Sequence, residues 1–169
     1  MRQVCAWCGK EMGTYPADDE LRKTITHGIC DRCAYHIIAQ AGMPLQEYLD
    51  GLDTPVLVVN GDGIVEMANA HARAILQKDL SQIVGQKGGD VFECTYARLP
   101  QGCGNTIHCT GCTIRRTVMH THETGQSHTR VLAVLNWENA DEKQQIPFLI
   151  STEKVRDAVL LRIDRVGEG

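Results

Sequence analysis

A chain of 169 residues fits one ordinary domain, or one small domain plus an appendage too short to build a core of its own. Its formal net charge of −4, sequence pI near 5.9 and lack of any Lys/Arg cluster beyond Arg115 and Arg116 leave no electrostatic footprint for nucleic acid, so direct binding to DNA or RNA is not expected. The Met1 start runs straight into RQVCAWC, without a secretory apolar stretch or a run near the roughly 18 apolar residues of a membrane span, which predicts a cytoplasmic protein without membrane contact.

The eight cysteines form two groups of four, Cys5, Cys8, Cys30 and Cys33, then Cys94, Cys103, Cys109 and Cys112, with sixty cysteine-free residues between them. In a reducing compartment thiols stay reduced unless bound or catalytic, so clustered Cys-x-x-Cys pairs point to metal before disulfides. The chain therefore divides into a four-cysteine module over residues 1–42 and a second domain over residues 43–169.

In the first module CAWC and CDRC stand 21 residues apart, a zinc-type spacing in which two knuckles bring four soft ligands to one tetrahedral ion. Cys5, Cys8, Cys30 and Cys33 are the predicted zinc ligands. Gly9 provides the tight turn after Cys8 that lets backbone amides face the thiolates. The segment between the pairs, with Gly13, Pro16 and the acidic run Asp18, Asp19 and Glu20, is too polar to supply a core, so the metal holds the module folded. Ala34, Ile37, Ile38 and Ala41 recur at helical spacing and predict a short helix stopped by Gly42. His27 and His36 take surface or supporting roles, since four thiols already saturate the ion. A dithiol oxidoreductase is the competing reading. It needs a Cys-x-x-Cys opening a helix beside a βαβ unit, whereas CAWC and CDRC read as short polar segments. CAWC followed by THGICDRC resembles the small zinc-ribbon-like element that accompanies bacterial signalling domains.

From Pro44 the pattern changes. PLQEYLDGL predicts a helix, and PVLVVN and IVEMAN predict two strands joined through Asn60, Gly61, Asp62 and Gly63, a hairpin signal. Asn69 stands at a helix cap, followed by Ala72, Ile75 and Leu76 on one predicted apolar face. Asp79 and Gln82 have capping-box spacing, and Gly85 closes that turn. A longer helix after Cys112 carries Ile114, Val118 and Met119 and stops at Gly125. Three strands follow, HTRVLAVLNW, QQIPFLIS and DAVLLRIDRV, the middle one exposing an edge or starting irregularly at Pro147. Strands and helices segregated in this order indicate an α+β domain with an antiparallel sheet covered on one face.

The stretch PVLVVNGDGIVEMANAHARAILQKDLSQIVGQ resembles the opening of a PAS domain, with the three closing strands in agreement over residues 45–166. The resemblance implies a five-stranded antiparallel sheet with short helices forming a ligand-sized pocket on one face, and a sensory, commonly dimerising module. It implies a structural capping role for Asn69. The ordinary PAS pattern does not demand cysteines, so Cys94, Cys103, Cys109 and Cys112 elaborate it, and GCG followed by CxxC is a variation seen in some bacterial PAS-like proteins.

These four are the second predicted metal set, with zinc or an iron–sulfur cluster as the metal, because both accept four thiolates and spacing alone does not separate them. Redox-switching thiols without metal are a third reading. Thr113 after Cys112 breaks the Cys-x-x-Cys-His needed for c-type haem. His120 and His122 suit a polar helix end or, as in haem-binding PAS domains, a haem iron; His71 and His128 read as surface, and His108 as a fifth ligand or hydrogen-bond donor. No phosphate-binding Gly loop, GxSxG elbow, HExxH or kinase signature is present, so no enzymatic activity is expected. The sequence thus predicts a metal-binding bacterial-type PAS signalling protein that detects a redox or small-ligand signal and relays it through a protein partner, with homodimerisation possible. The alternatives are a dithiol redox enzyme, or a PAS scaffold whose two metals are purely structural.

Overall fold

The computed structural model describes residues 1–14, 24–41 and 44–167, and for residues 38–41 the backbone only. The acidic run at residues 18–20 and the predicted stop at Gly42 lie outside the described residues. The chain divides into two compact units, Met1–Leu45 and Gln46–Gly169.

The smaller unit is a three-stranded sheet in the order β2-β1-β3, built from β1 (Arg2–Cys5), β2 (Glu11–Thr14) and β3 (Ile25–Gly28), and followed by α1 (Asp31–Ala41). β1 pairs antiparallel with β2 and parallel with β3. The turn after β1 is closed by Gly9 N–H donating to Cys5 O at 2.9 Å, with Gly9 at φ +72°, a conformation in which a Cβ is disfavoured. CDRC does not lie in a polar loop as predicted: α1 begins at Asp31, so this pair opens a helix, and the Asp31 carboxylate sits in its first turn, where the helix dipole favours a negative charge.

The larger unit starts with α2 (Leu45–Asp50) and the hairpin β4 (Val56–Asn60) and β5 (Val65–Ala68). Short helices follow, α3 (Ala70–Leu76), α4 (Leu80–Ile83) and α5 (Gly88–Val91), then two 3₁₀ turns at Thr95–Arg98 and Ile107–Gly111. The longer α6 (Thr113–Thr124) leads into β6 (His128–Glu138), β7 (Lys143–Val155) and β8 (Ala158–Val166). The five strands form one antiparallel sheet in the order β5-β4-β8-β7-β6, so the first strand of the unit pairs with the last. The fold is therefore α+β, with the sheet and short helices expected from the sequence.

Local chemistry accounts for the elements. At the hairpin, Asn60 Oδ1 accepts from the Asp62 and Ile64 amides at 3.0 and 3.1 Å, an Asx turn that ties the corner. Asn69 is fully buried and caps α3. The capping box at Asp79 and Gln82 forms as predicted, and Gly85 follows at φ +83°. α6 ends in Gly125 at φ +75°, whose amide donates to Thr121 O. One predicted face needs correction: Ala72 is buried and Leu76 packs on the core, but Ile75 is exposed. β7 lies inside the sheet. At Pro147 the side toward β8 is met by Gly167, just past the end of that strand, whose amide donates to Pro147 O at 2.7 Å, so the proline sits where the ladder runs out.

The core joins the helix-side faces of the strands, including Leu57, Val59, Leu135, Phe148, Ile150 and Leu161, to Ala72, Ile83, Phe92 and Val118 from the helices. Among the described residues no helix is long and apolar enough to cross a membrane.

Candidate metal centres

In the smaller unit the two knuckles meet. Cys5 ends β1, Cys30 precedes α1 and Cys33 lies in its first turn, all three buried, while Cys8 is exposed. The four Sγ atoms lie within 4.8 Å of one another, and Cys8 Sγ and Cys30 Sγ are 3.7 Å apart. Four sulfurs bound at about 2.3 Å to one tetrahedral zinc stand about 3.8 Å from each other, so the spacing matches a single ion. The Ala6 amide donates to Gly28 O at 2.8 Å and locks one knuckle to the other. The Cys30 amide donates to Cys5 Sγ at 3.4 Å. That amide is the main reason why the Cys5 thiol falls to about 6, whereas burial lifts Cys33 to about 12. Four thiols held this close cannot all ionise by themselves. A dication that takes the place of their protons is the charge the cluster lacks. His27 is exposed and His36 half-buried against the Tyr35 ring, and neither joins the four sulfurs.

The second set is arranged differently. Cys94 follows α5, Cys103 sits between the two 3₁₀ turns, Cys109 is in the second turn, and Cys112 caps the start of α6. All four line one cavity of about 430 Å³ between α6 and the sheet, with apolar walls that include Val59, Phe92, Ile114, Val118 and Leu161. Among the described residues, only the first set gathers three or more ligand atoms to single-ion range.

Hydrogen-bond donors are aimed at these sulfurs. The Gly89 amide donates to Cys103 Sγ at 3.2 Å, and the Gly104 amide to Cys109 Sγ at 3.2 Å, with the Thr106 hydroxyl also 3.2 Å from Cys109 Sγ. Burial pushes up the thiols of Cys94 and Cys103. Burial acts upward on Cys109 too, but the Thr106 hydroxyl, the Thr106 and Gly104 amides and the charge of Arg115 outweigh it and hold this thiol below its usual value. Gly104, at φ +88°, brings its amide to Cys109 while the Arg115 guanidinium packs where a Cβ would be. A Cβ at Gly89 would lie 2.7 Å from Cys103 Sγ, so only glycine lets the α5 backbone meet that sulfur. Sequence reasoning missed Gly89, Thr106 and Arg115. Their link to the cysteines exists only once the loop has folded back onto α5 and α6.

The histidines occupy other positions. His108 is exposed, stacked on Tyr96 with ring centroids 3.9 Å apart, at the cavity wall. His120 hydrogen-bonds to His128 at 2.9 Å, His122 Nε2 lies 2.9 Å from Asp157 O, and His71 is exposed. None of His71, His120, His122 and His128 lines the cavity.

No family model matches the chain, and no curated protein matches it. Solved structures do. A domain of the sensory box sensor histidine kinase/response regulator from Geobacter sulfurreducens superposes with a TM-score of 0.50 at 8% identity, over 77% of this chain and 96% of that one. The photoactive yellow protein domain from the sensor histidine kinase Ppr of Rhodospirillum centenum gives a TM-score of 0.46 at 11% identity, covering 78% of this chain and 99% of that domain. The PAS domain of nitrogen regulation protein NR(II) from Vibrio parahaemolyticus gives 0.44 at 14% identity, covering 71% and 95%. At these identities the likeness concerns fold alone. The strand order, the helices gathered on one face and the cavity beneath α6 agree with it: the larger unit has the PAS fold.

Proposed function

We propose that this protein is a sensory signalling module in which Cys94, Cys103, Cys109 and Cys112 hold a metal centre inside the PAS-type cavity, and in which a change at that centre is relayed to a protein partner. The observation that carries the reading is that all four cysteines stand on the wall of a single cavity beneath α6. Cys109 and Cys112 lie in the turn that leads directly into α6, whose buried Thr117, Val118 and Thr121 rest on the sheet. Thr121 Oγ1 and Thr152 Oγ1 are 2.7 Å apart, which joins α6 to β7. A shift of charge or occupancy at the cysteines would act on the end of a helix whose other turns grip the sheet, and the signal would pass as a shift in how α6 rests on it. Cys5, Cys8, Cys30 and Cys33 hold zinc in a structural role, in a zinc-ribbon-like module.

The test is amide hydrogen exchange on the full chain with the second centre loaded and stripped, or oxidised and reduced. The expected result is a change in protection along α6 and the strand it contacts, and metal-dependent capture of a signalling partner. Identical α6 protection in every state would reduce the centre to a staple. Turnover of a disulfide substrate by metal-free thiols would instead establish the dithiol enzyme.

A further inference from the structure

The two cysteine sets offer the same four thiolates but hold them at different spacings. In the first set the sulfurs are within 4.8 Å of one another, and one ion spans them. In the second, no three sulfurs come to that range, although all four face one cavity of about 430 Å³. A single zinc can bind four sulfurs only when they approach to about 3.8 Å, the edge of its tetrahedron. To reach that here, three backbone segments, at Cys94, at Cys103 and at the turn carrying Cys109 and Cys112, would have to draw together. Cys103 would leave the Gly89 amide and Cys109 the Gly104 amide, each now 3.2 Å from its sulfur.

A cluster built from several irons and bridging sulfides has a core of its own, so its protein thiolates stand apart, bound to different irons. We infer that the second cysteine set holds an iron–sulfur cluster, with Cys94, Cys103, Cys109 and Cys112 as its four ligands. This rests on the reading above that the set binds metal, and it names the metal. Three further features fit such a centre. Backbone amides and the Thr106 hydroxyl point at the ligand sulfurs, the kind of hydrogen bonding that sets a cluster's reduction potential. Arg115, at the cavity wall, supplies a cation against the negative charge of four thiolates. The apolar walls from Leu57, Phe92, Ile114 and Val118 limit water around it.

The experiment is to purify the full chain without oxygen, and in parallel to reconstitute it with ferrous iron and sulfide. Zinc, iron and acid-labile sulfide per chain are measured, and visible and electron paramagnetic resonance spectra are recorded before and after reduction with dithionite. The expected result is one zinc, iron and sulfide in equal amounts, and a broad charge-transfer absorption that bleaches on reduction. Cys109→Ser is expected to lose iron and sulfide and keep the zinc. Two zincs with neither iron nor sulfide would overturn the cluster and leave the metal-sensor reading standing. One zinc and no second metal, after reconstitution as well, would overturn both. The wild-type spectra decide the matter even if Cys109→Ser fails to fold.

Discussion

Asn69 shows how much one side chain can fix. Its Oδ1 accepts from the Val56 and Ala72 amides, each at 2.9 Å, and its Nδ2 donates to Leu49 O and Thr54 O at 3.0 and 2.8 Å. One buried amide thus joins the end of α2, the start of β4 and the first turn of α3. Asn69→Ala leaves four backbone groups without their partner, and at about 1 kcal/mol or more for each group that water cannot reach, the expected loss is about 2–4 kcal/mol in a denaturant titration. Gly89 is the corresponding residue at the cavity. In Gly89→Ala the new Cβ meets Cys103 Sγ at 2.7 Å and Cys103 Cβ at 2.9 Å, so the sulfur is pushed off its position. The expected outcome, read by metal analysis, is loss of most of the second metal with the zinc of the first set retained.

At the scale of elements, the segment between α3 and α4, the turn after α5 and β6 are tied by Glu93. Its Oε2 accepts from Trp137 Nε1 at 3.3 Å, and its Oε1 is 3.3 Å from Lys78 Nζ. The indole bond first, then Lys78, hold the carboxyl below its ordinary value of 4.5. A carboxylate with a depressed folded pKa stabilises the fold above its ordinary value and loses that contribution as pH falls through the lower, folded one. Because Glu93 is half exposed, screening keeps the effect below about 1 kcal/mol. Glu93→Gln should therefore lower stability slightly at neutral pH and converge with the unsubstituted chain below pH 4.5, which paired thermal melts would read. Much of this level was legible in the sequence. Turn chemistry at residues 60–63, the Asn69 cap, the capping box and the stop at Gly125 are short-range signals that survive any tertiary context. Where the reading failed, the signal was too short. A helix of seven residues has two turns, too few for periodicity to choose between Ile75 and Leu76 as the inward residue. CDRC looked like loop because Asp31 and Arg32 are polar, yet Asp31 in a first turn is itself a start signal.

For the whole molecule, cysteine spacing announced two sets of four thiols, but spacing carries no distances. That one set closes on a point while the other surrounds a space became visible only when the loop at residues 94–112 lay against α5, α6 and the sheet. The units also differ in what holds them. The smaller has a buried cluster of Cys5, Cys30 and Cys33 with Met12 beside it, whereas the larger has a continuous apolar core. Removal of the first metal with a strong chelator should therefore erase amide protection in β1–β3 and leave the five-stranded sheet intact, by nuclear magnetic resonance or hydrogen exchange.

The pairing of β4 with β8 sets an order of events in time. Val56 meets Arg162 across the sheet, so everything from the hairpin to β7, including all four cavity cysteines, lies inside a loop that closes only when the last strand arrives. On a growing chain, Cys33 emerges long before β8, so the first set can capture its metal while the second still lacks a floor. If each set takes up metal as it forms, delivery would be sequential, and β4, apolar on both faces, waits with β5 on one edge and without β8 on the other in between. A chain stopped at Val155 should hold its zinc, fail to load the cavity and aggregate through that bare strand.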